Sequence, residues 1–180
     1  MCYTYDGEIY TQRPGSNPQK VRIDLIRDDQ EQIADLNSSK GATSATVSPD
    51  GKQIAFTLRG EVFVTSADYN TTKQITHTPA AETGICFSPD NRTLAYASER
   101  GGNWQLYLAK IARKEEANFP NATIIEEEVL LPSKTVERNY PQFSPDGKEL
   151  AFIEDRMRLM VVNLETVSYT HLTLPTTPYV

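Results

Sequence analysis

A ten-residue pattern occurs three times in this 180-residue chain. It reads VSPDGKQIAF from position 47, FSPDNRTLAY from 87 and FSPDGKELAF from 143. Three copies of one turn-and-strand unit restrict the chain to a repeat architecture, in which each unit buries its apolar face against a neighbour. Pro49, Pro89 and Pro145 preset φ for the second position of a type I turn, and Ser48, Ser88 and Ser144 suit the first. Asp50, Asp90 and Asp146 recur identically inside the turn, which marks a structural role and not a catalytic one. Gly51 and Gly147 stand where a three-residue hairpin with a bulge needs a left-handed residue. The second copy has Asn91 there, the other residue that tolerates this conformation.

Each turn is followed by a large–small–large apolar triplet: Ile54-Ala55-Phe56, Leu94-Ala95-Tyr96 and Leu150-Ala151-Phe152. Such triplets suit strands covered on both faces by packed sheets. Further strand signals follow each triplet, with tight turns between them. The expected strands are 45–48, 53–58, 61–66 and 73–76 in the first unit. The second has 85–88, 93–98, 104–111 and one within 124–131. The third has 140–144, 149–153 and 158–164, and lacks a fourth. Four short antiparallel strands per unit form the blade of a β-propeller. The fold class expected is therefore all-β, a partial β-propeller of about three blades from a larger ring. Ser48 and Ser88 lie 40 residues apart, close to a blade repeat of roughly 40–45 residues. Ser88 and Ser144 are 56 apart, so the second blade carries an insertion, placed near 110–123. A polar insertion on a blade rim costs little, because loop-closure entropy grows slowly with length.

The blades are expected over 42–80, 81–136 and 137–166. Ahead of them, residues 1–24 read as a trailing hairpin of a preceding blade or propeller, with Glu8–Thr11 and Lys20–Asp24 flanking a Pro-Gly turn. Residues 25–41 are polar and aperiodic and read as a linker, with room for a short helix from Asp28 to Leu36. Residues 167–180 stand apart, because all 18 basic and 24 acidic residues precede them. This stretch, VSYTHLTLPTTPYV, looks like the translation of a sequencing-adapter read-through and is set aside as a non-native tail.

The formal net charge of −6, with no basic cluster, argues against a nucleic-acid partner. Two cysteines, Cys2 and Cys86, are too few for a disulfide framework. No apolar run is long enough for a membrane span, and no signal peptide is recognisable. His77 and His171 have no Cys or acidic partner at metal-ligand spacing. No serine sits in G-x-S-x-G. Glu126–Glu128 and Lys114–Glu116 read as wet faces, and Trp104 with Tyr107 as packing on a third strand. The residues thus indicate no catalytic site, no cofactor and no metal site.

The three repeats, with SERGGNWQLY at 98–107, resemble the WD-like propeller repeat of TolB-type proteins, which runs roughly FSPDG..IAF.S.R.GN..IY. The resemblance covers residues 42–166. Arg59–Ser66 and Arg156–Val161 look most like the propeller region of bacterial tricorn-like serine proteases. Those enzymes carry two propellers ahead of a PDZ module and a catalytic domain. This resemblance implies a non-catalytic propeller segment of an exported or periplasmic peptidase, binding or gating peptide or protein substrates. Its partners in the parent chain would be further blades and a catalytic domain. Two alternatives are a TolB-type protein-binding propeller of an envelope complex and the lid propeller of a prolyl-oligopeptidase-type hydrolase. Fold-level analogy alone does not choose among them.

Overall fold

The computed structural model describes residues 1–5, 8–22 and 41–172. The chain divides into two compact units, Met1–Asn37 and Ser38–Val180. The first unit holds a three-stranded antiparallel sheet of β1 (Cys2–Tyr5), β2 (Glu8–Thr11) and β3 (Gln19–Lys20), in that order. β2 and β3 form an antiparallel hairpin to which β1 adds a strand; β3 is Gln19–Lys20 in place of the expected Lys20–Asp24, and positions 23 and 24 lie outside the described residues. Tyr3 and Tyr10 sit opposite one another and stack with ring centroids 5.9 Å apart. The expected linker, apart from Gly41, and the expected helix over Asp28–Leu36 lie outside the described residues.

The second unit contains three four-stranded antiparallel sheets. The first is β4 (Ala42–Val47), β5 (Gln53–Leu58), β6 (Glu61–Ser66) and β7 (Thr72–Gln74). The second is β8 (Glu82–Phe87), β9 (Thr93–Ser98), β10 (Gln105–Ile111) and β11 (Ile125–Leu130). The third is β12 (Arg138–Phe143), β13 (Glu149–Glu154), β14 (Arg158–Asn163) and β15 (Tyr169–His171). Each sheet runs in chain order as a meander, and β8 lies against both β4 and β12. These are three blades of a β-propeller, with β4, β8 and β12 as their first strands. One expectation needs correction: the third blade does have a fourth strand. Tyr169–His171, from the segment set aside as a tail, pairs with β14 through Met160, Val161 and Val162. Three residues of extended, Thr-rich chain are enough to satisfy that sheet edge.

Two apolar cores lie between the blades. One joins the first and second through Val62, Val64, Phe87, Leu94, Tyr96 and Ile111. The other joins the second and third through Ala95, Leu106, Leu108, Phe143, Leu150 and Phe152. Burial along the triplet strands follows from this stacking. β9 is covered on both faces and is buried at every position from Leu94 to Ser98. β5, and β13 from Leu150 on, alternate buried and half-buried residues, because only one face of each lies against a core. The two-sided burial expected of all three triplets therefore holds for Leu94-Ala95-Tyr96 alone.

The insertion of the second blade starts after Ile111. It contains a single-turn 3-10 helix, Phe119–Asn121, capped by the Asn118 side chain, which accepts from Asn121 N–H. The Phe119 side chain is fully buried in the first core, 6.1 Å from Phe87 between ring centroids. An insertion expected to be a polar rim loop thus plugs the seam between two blades.

Candidate functional site

The three Ser-Pro-Asp turns share one hydrogen-bond scheme. In the first, Gly51 N–H donates to the Ser48 carbonyl at 2.9 Å, closing a turn with Pro49 at its second position. The Ser48 carbonyl is thereby engaged, so Gln53 N–H donates instead to Ser48 Oγ at 2.9 Å. Ser48 Oγ in turn donates a hydrogen bond to Asp50 Oδ1 at 2.6 Å, and Lys52 N–H donates to the same oxygen at 3.1 Å. Ser144, Asp146, Lys148 and Glu149 repeat this scheme at 2.6, 3.1 and 2.9 Å. Ser88 Oγ bonds Asp90 Oδ1, with Arg92 and Thr93 N–H in the corresponding places. The left-handed residues are Gly51 at φ +73°, Asn91 at +62° and Gly147 at +73°. Ser48 and Gln53 face each other across Pro49 to Lys52, so the loop has four residues and not the three expected.

This scheme decides what the serines can do. The Ser144 hydrogen bond holds Asp146 below the usual carboxylate range, and Ser48 does the same to Asp50. A carboxylate so stabilised is a poor base, and each hydroxyl already accepts a backbone N–H. The Ser–Asp pairs are turn braces.

The turns also touch one another. Asp50 N–H donates to Asn91 Oδ1 at 3.2 Å, and Gln53 Nε2 donates to the Asn91 carbonyl at 3.3 Å. A Cβ on Gly147 would lie 3.4 Å from Pro89 Cδ. The left-handed residues of the second and third turns, Asn91 and Gly147, therefore each face the turn before them. Buried amides complete the seams. Gln53 Oε1 accepts from Phe119 N–H at 2.8 Å, and Gln105 Oε1 accepts from Ser133 N–H at 2.9 Å.

An ionic cluster lies at the seam of the first two blades, around Glu82, Arg100 and Glu127. Glu82 Oε1 accepts from Ser98 Oγ at 2.9 Å and Thr78 Oγ1 at 3.0 Å, and pairs with Arg100 Nε at 3.4 Å. Arg100 donates to Glu127 through Nη1 at 3.1 Å and Nη2 at 2.9 Å, and lies over the Tyr107 ring at 4.5 Å. Tyr96, fully buried, donates its hydroxyl to Glu127. Burial raises the Glu82 pKa, against its hydrogen bonds from Ser98 and Thr78. For Glu127 the effect of burial is outweighed by the hydrogen bonds from Arg100 and Tyr96, and its pKa is lowered. Glu127 is thus a working member of a network and not the wet face expected. Glu128 does face solvent and pairs with Lys110.

The second seam buries an ion pair at the equivalent register. Glu82 sits opposite Ser98, and Arg138 sits opposite Glu154. Arg138 Nη2 lies 3.1 Å from Glu154 Oε2, with both side chains below one-tenth exposed, and Arg138 also bonds Leu131 O and Gln105. Beside this pair β12 carries a bulge at Tyr140, which has φ +57° although 68 % exposed. The equivalent residue in β8 is Gly84 at φ +64°, and a Cβ there would lie 3.3 Å from Tyr140 N.

Cys86 is buried and its thiol is pushed up to about 12 by that burial, so it is held protonated and unreactive. His77 is exposed in the connection before β8, and His171 is exposed on β15. Among the described residues no group of three or more His, Cys, Asp or Glu could hold a metal ion, and no helix is long and apolar enough to cross a membrane. Trp104 packs against the second core while Tyr107 packs against the first, so they lie on opposite faces of their blade.

Stacked four-stranded meanders with braced Ser-Pro-Asp turns define a β-propeller segment held together by packing and buried polar seams. The family model of the TolB beta propeller domain matches residues 10–174, and the chain belongs to that family. The Tol-Pal system protein TolB of Helicobacter pylori strain J99 is 29% identical over 113 residues, 60% of this chain and 26% of the relative. The chain thus spans about a quarter of that curated relative's length. The crystal structure of TolB from Acinetobacter baumannii superposes with a TM-score of 0.58 at 18% identity, covering 96% of this chain and 40% of that one. Dihydro-heme d1 dehydrogenase NirN matches with a TM-score of 0.53 at 14% identity, covering 74% of this chain and 28% of that one. Likenesses this distant in sequence report the fold alone, and NirN illustrates that propeller folds serve unrelated chemistry.

Proposed function

We propose that this segment is a non-catalytic, protein-binding part of a TolB-type propeller, working in an exported or periplasmic protein of the bacterial envelope. Membership of the TolB propeller family over residues 10–174 carries this reading, and the named relative is a Tol-Pal system protein. The chemistry of the blades supports it. The three turn serines are committed to bracing, Cys86 is buried and protonated, and the strongest ionic groups are spent on the seams. What remains on the surface is suited to recognition, with exposed Tyr140 beside Trp104 and Arg156 around a cleft of about 500 Å³ between the second and third blades. Aromatic and arginine side chains are the usual anchors of protein interfaces.

The tricorn-like reading is a second proposal. It rests on the resemblance of Arg59–Ser66 and Arg156–Val161, and a chain of two compact units is compatible with two successive propellers. The proteins named above are not tricorn-like, which favours the TolB reading. Assaying the parent protein on denatured peptides separates the two. The binding-module reading expects no cleavage, whereas turnover lost on mutating one serine would replace it with the peptidase reading.

A further inference from the structure

The stacked repeats allow one seam to be read against the other. Gln53, Ala55 and Val64 of the first blade correspond by register to Thr93, Ala95 and Leu108 of the second. Phe87 corresponds to Phe143, since each pairs with the leucine after its turn, Leu94 or Leu150. Ile111 corresponds to Leu164, because their N–H groups donate to the carbonyls of Arg92 and Lys148, at matching places after the two turns.

At the first seam these positions form the seat of Phe119. Its ring packs in the core with Val64, Phe87 and Ile111, and its N–H is held by Gln53. At the second seam the corresponding Thr93, Leu108, Phe143 and Leu164 line an open groove of about 710 Å³. The difference lies in the connection after each blade's third strand. In the second blade it is long, reaches back to the first blade and delivers Phe119-Pro120. In the third blade only five residues, 164–168, join β14 to β15, too few to reach the seat.

The rim of the open groove is acidic. Asp90, Asp146 and Glu128 line it, with Lys110 as the one cation among the described lining residues, and Lys110 is paired with Glu128. Asp90 and Asp146 each use Oδ1 within their turn, and among the described residues nothing bonds their second oxygens.

We propose that this groove is a docking seat for an extended segment of a partner protein that carries an aromatic residue followed by proline, with a lysine or arginine beside it. Phe119-Pro120 shows the chemistry that the seat accepts, and the acidic rim selects the basic neighbour. The proposal rests on the reading of the chain as a protein-binding module and specifies where and what it binds.

The test is fluorescence anisotropy of the full chain with labelled peptides copied from residues 114–123, KEEANFPNAT. One peptide keeps this sequence, a second replaces both glutamates by lysine, and a third adds alanine in place of the phenylalanine. The lysine peptide is expected to saturate one site and to bind more tightly than the glutamate form. The alanine peptide, and the lysine peptide against V129R, should each bind about ten-fold or more weakly. Val129 is 41% exposed on the groove wall, so that variant should keep its circular dichroism spectrum. Equal binding of the phenylalanine and alanine peptides, or binding unaffected by V129R, overturns the seat. A chain that dimerises in sedimentation, becomes monomeric as V129R and binds no peptide would mean that a second copy covers the groove, and also overturns it. If the peptides fail while another surface engages an envelope partner, only the seat falls; peptide cleavage by the parent would instead remove the underlying reading.

Discussion

Asp50 N–H donates to Asn91 Oδ1 at 3.2 Å, so the left-handed residue of the second turn also clasps the first. The corresponding residue of the third turn, Gly147, meets Pro89 of the second without a side chain to bond it. Local turn chemistry and blade stacking are therefore coupled at one position in the second and in the third repeat.

That coupling can be measured at Gly147. Valine is expected to cost about 2 kcal/mol, since a β-branched residue is forced to positive φ. Asparagine should cost less than about 1 kcal/mol, because it tolerates that backbone and can bond Asp90 N–H as Asn91 bonds Asp50. Urea denaturation of the two variants checks this, and equal losses would contradict the left-handed requirement.

Phe119 lies on a loop between two strands of the second blade and packs into the core shared with the first. Phe119→Ala should destabilise by about 3–4 kcal/mol, the range for emptying a buried aromatic site. Asn121→Ala, at the exposed end of the same turn, should change the denaturation midpoint little. A loss below about 1 kcal/mol for Phe119→Ala would show that the seam does not depend on the plug.

Arg138 and Glu154 form the buried pair of the second seam. Glu154→Ala leaves a buried guanidinium with Gln105, Leu131 O and the Phe152 ring as its neutral partners among the described residues, and should cost about 3 kcal/mol. Arg158→Ala removes an exposed contact of the same carboxylate and should cost no more than about 1 kcal/mol. Thermal melts that rank the two in the opposite order would contradict the burial argument.

Glu82 and Glu127 should pull the pH dependence in opposite directions. The raised pKa of Glu82 means that folding is penalised while it is ionised, and the penalty is relieved as pH falls through that raised value towards the ordinary 4.5. The lowered pKa of Glu127 gives stability that is present above 4.5 and lost as pH falls through its lowered value. Asp50 and Asp146, also lowered, add to the acid loss. Melting temperature should therefore rise modestly on acidification from neutrality and then fall. Glu82→Gln should abolish the rise and keep the fall, and an unchanged slope above the ordinary glutamate value in that variant would contradict the assignment.

Much of this fold is written in local chemistry. The Ser-Pro-Asp turns need no tertiary context, and strands 53–58, 61–66 and 93–98 lie where alternation and turn signals put them. The seams were less legible. Nothing around Phe119 distinguishes a plug from a polar loop, because its partners Gln53 and Phe87 are remote in sequence. Glu127 sits in a run of three glutamates, and only its hydrogen bonds from Tyr96 and Arg100 separate it from its solvated neighbours. The fourth strand of the third blade was hidden by a composition that argues for exclusion, although an open sheet edge accepts backbone from almost any extended segment. Tyr140 carries no sequence mark of positive φ, which comes from the bulge opposite Gly84.

The central claim is that this segment binds a protein and performs no chemistry. Its most direct test is site-specific photocrosslinking in cells that make the parent protein, with a benzophenone amino acid at Tyr140 and, separately, at Val129. The account predicts a discrete adduct with one envelope protein, identified by mass spectrometry, and an intact partner chain within it. Val129 reports on the groove and Tyr140 on the neighbouring cleft, so an adduct at Tyr140 alone keeps the function and removes the seat. Absence of any discrete adduct at both positions, or adducts consisting of cleaved peptides, would contradict the account.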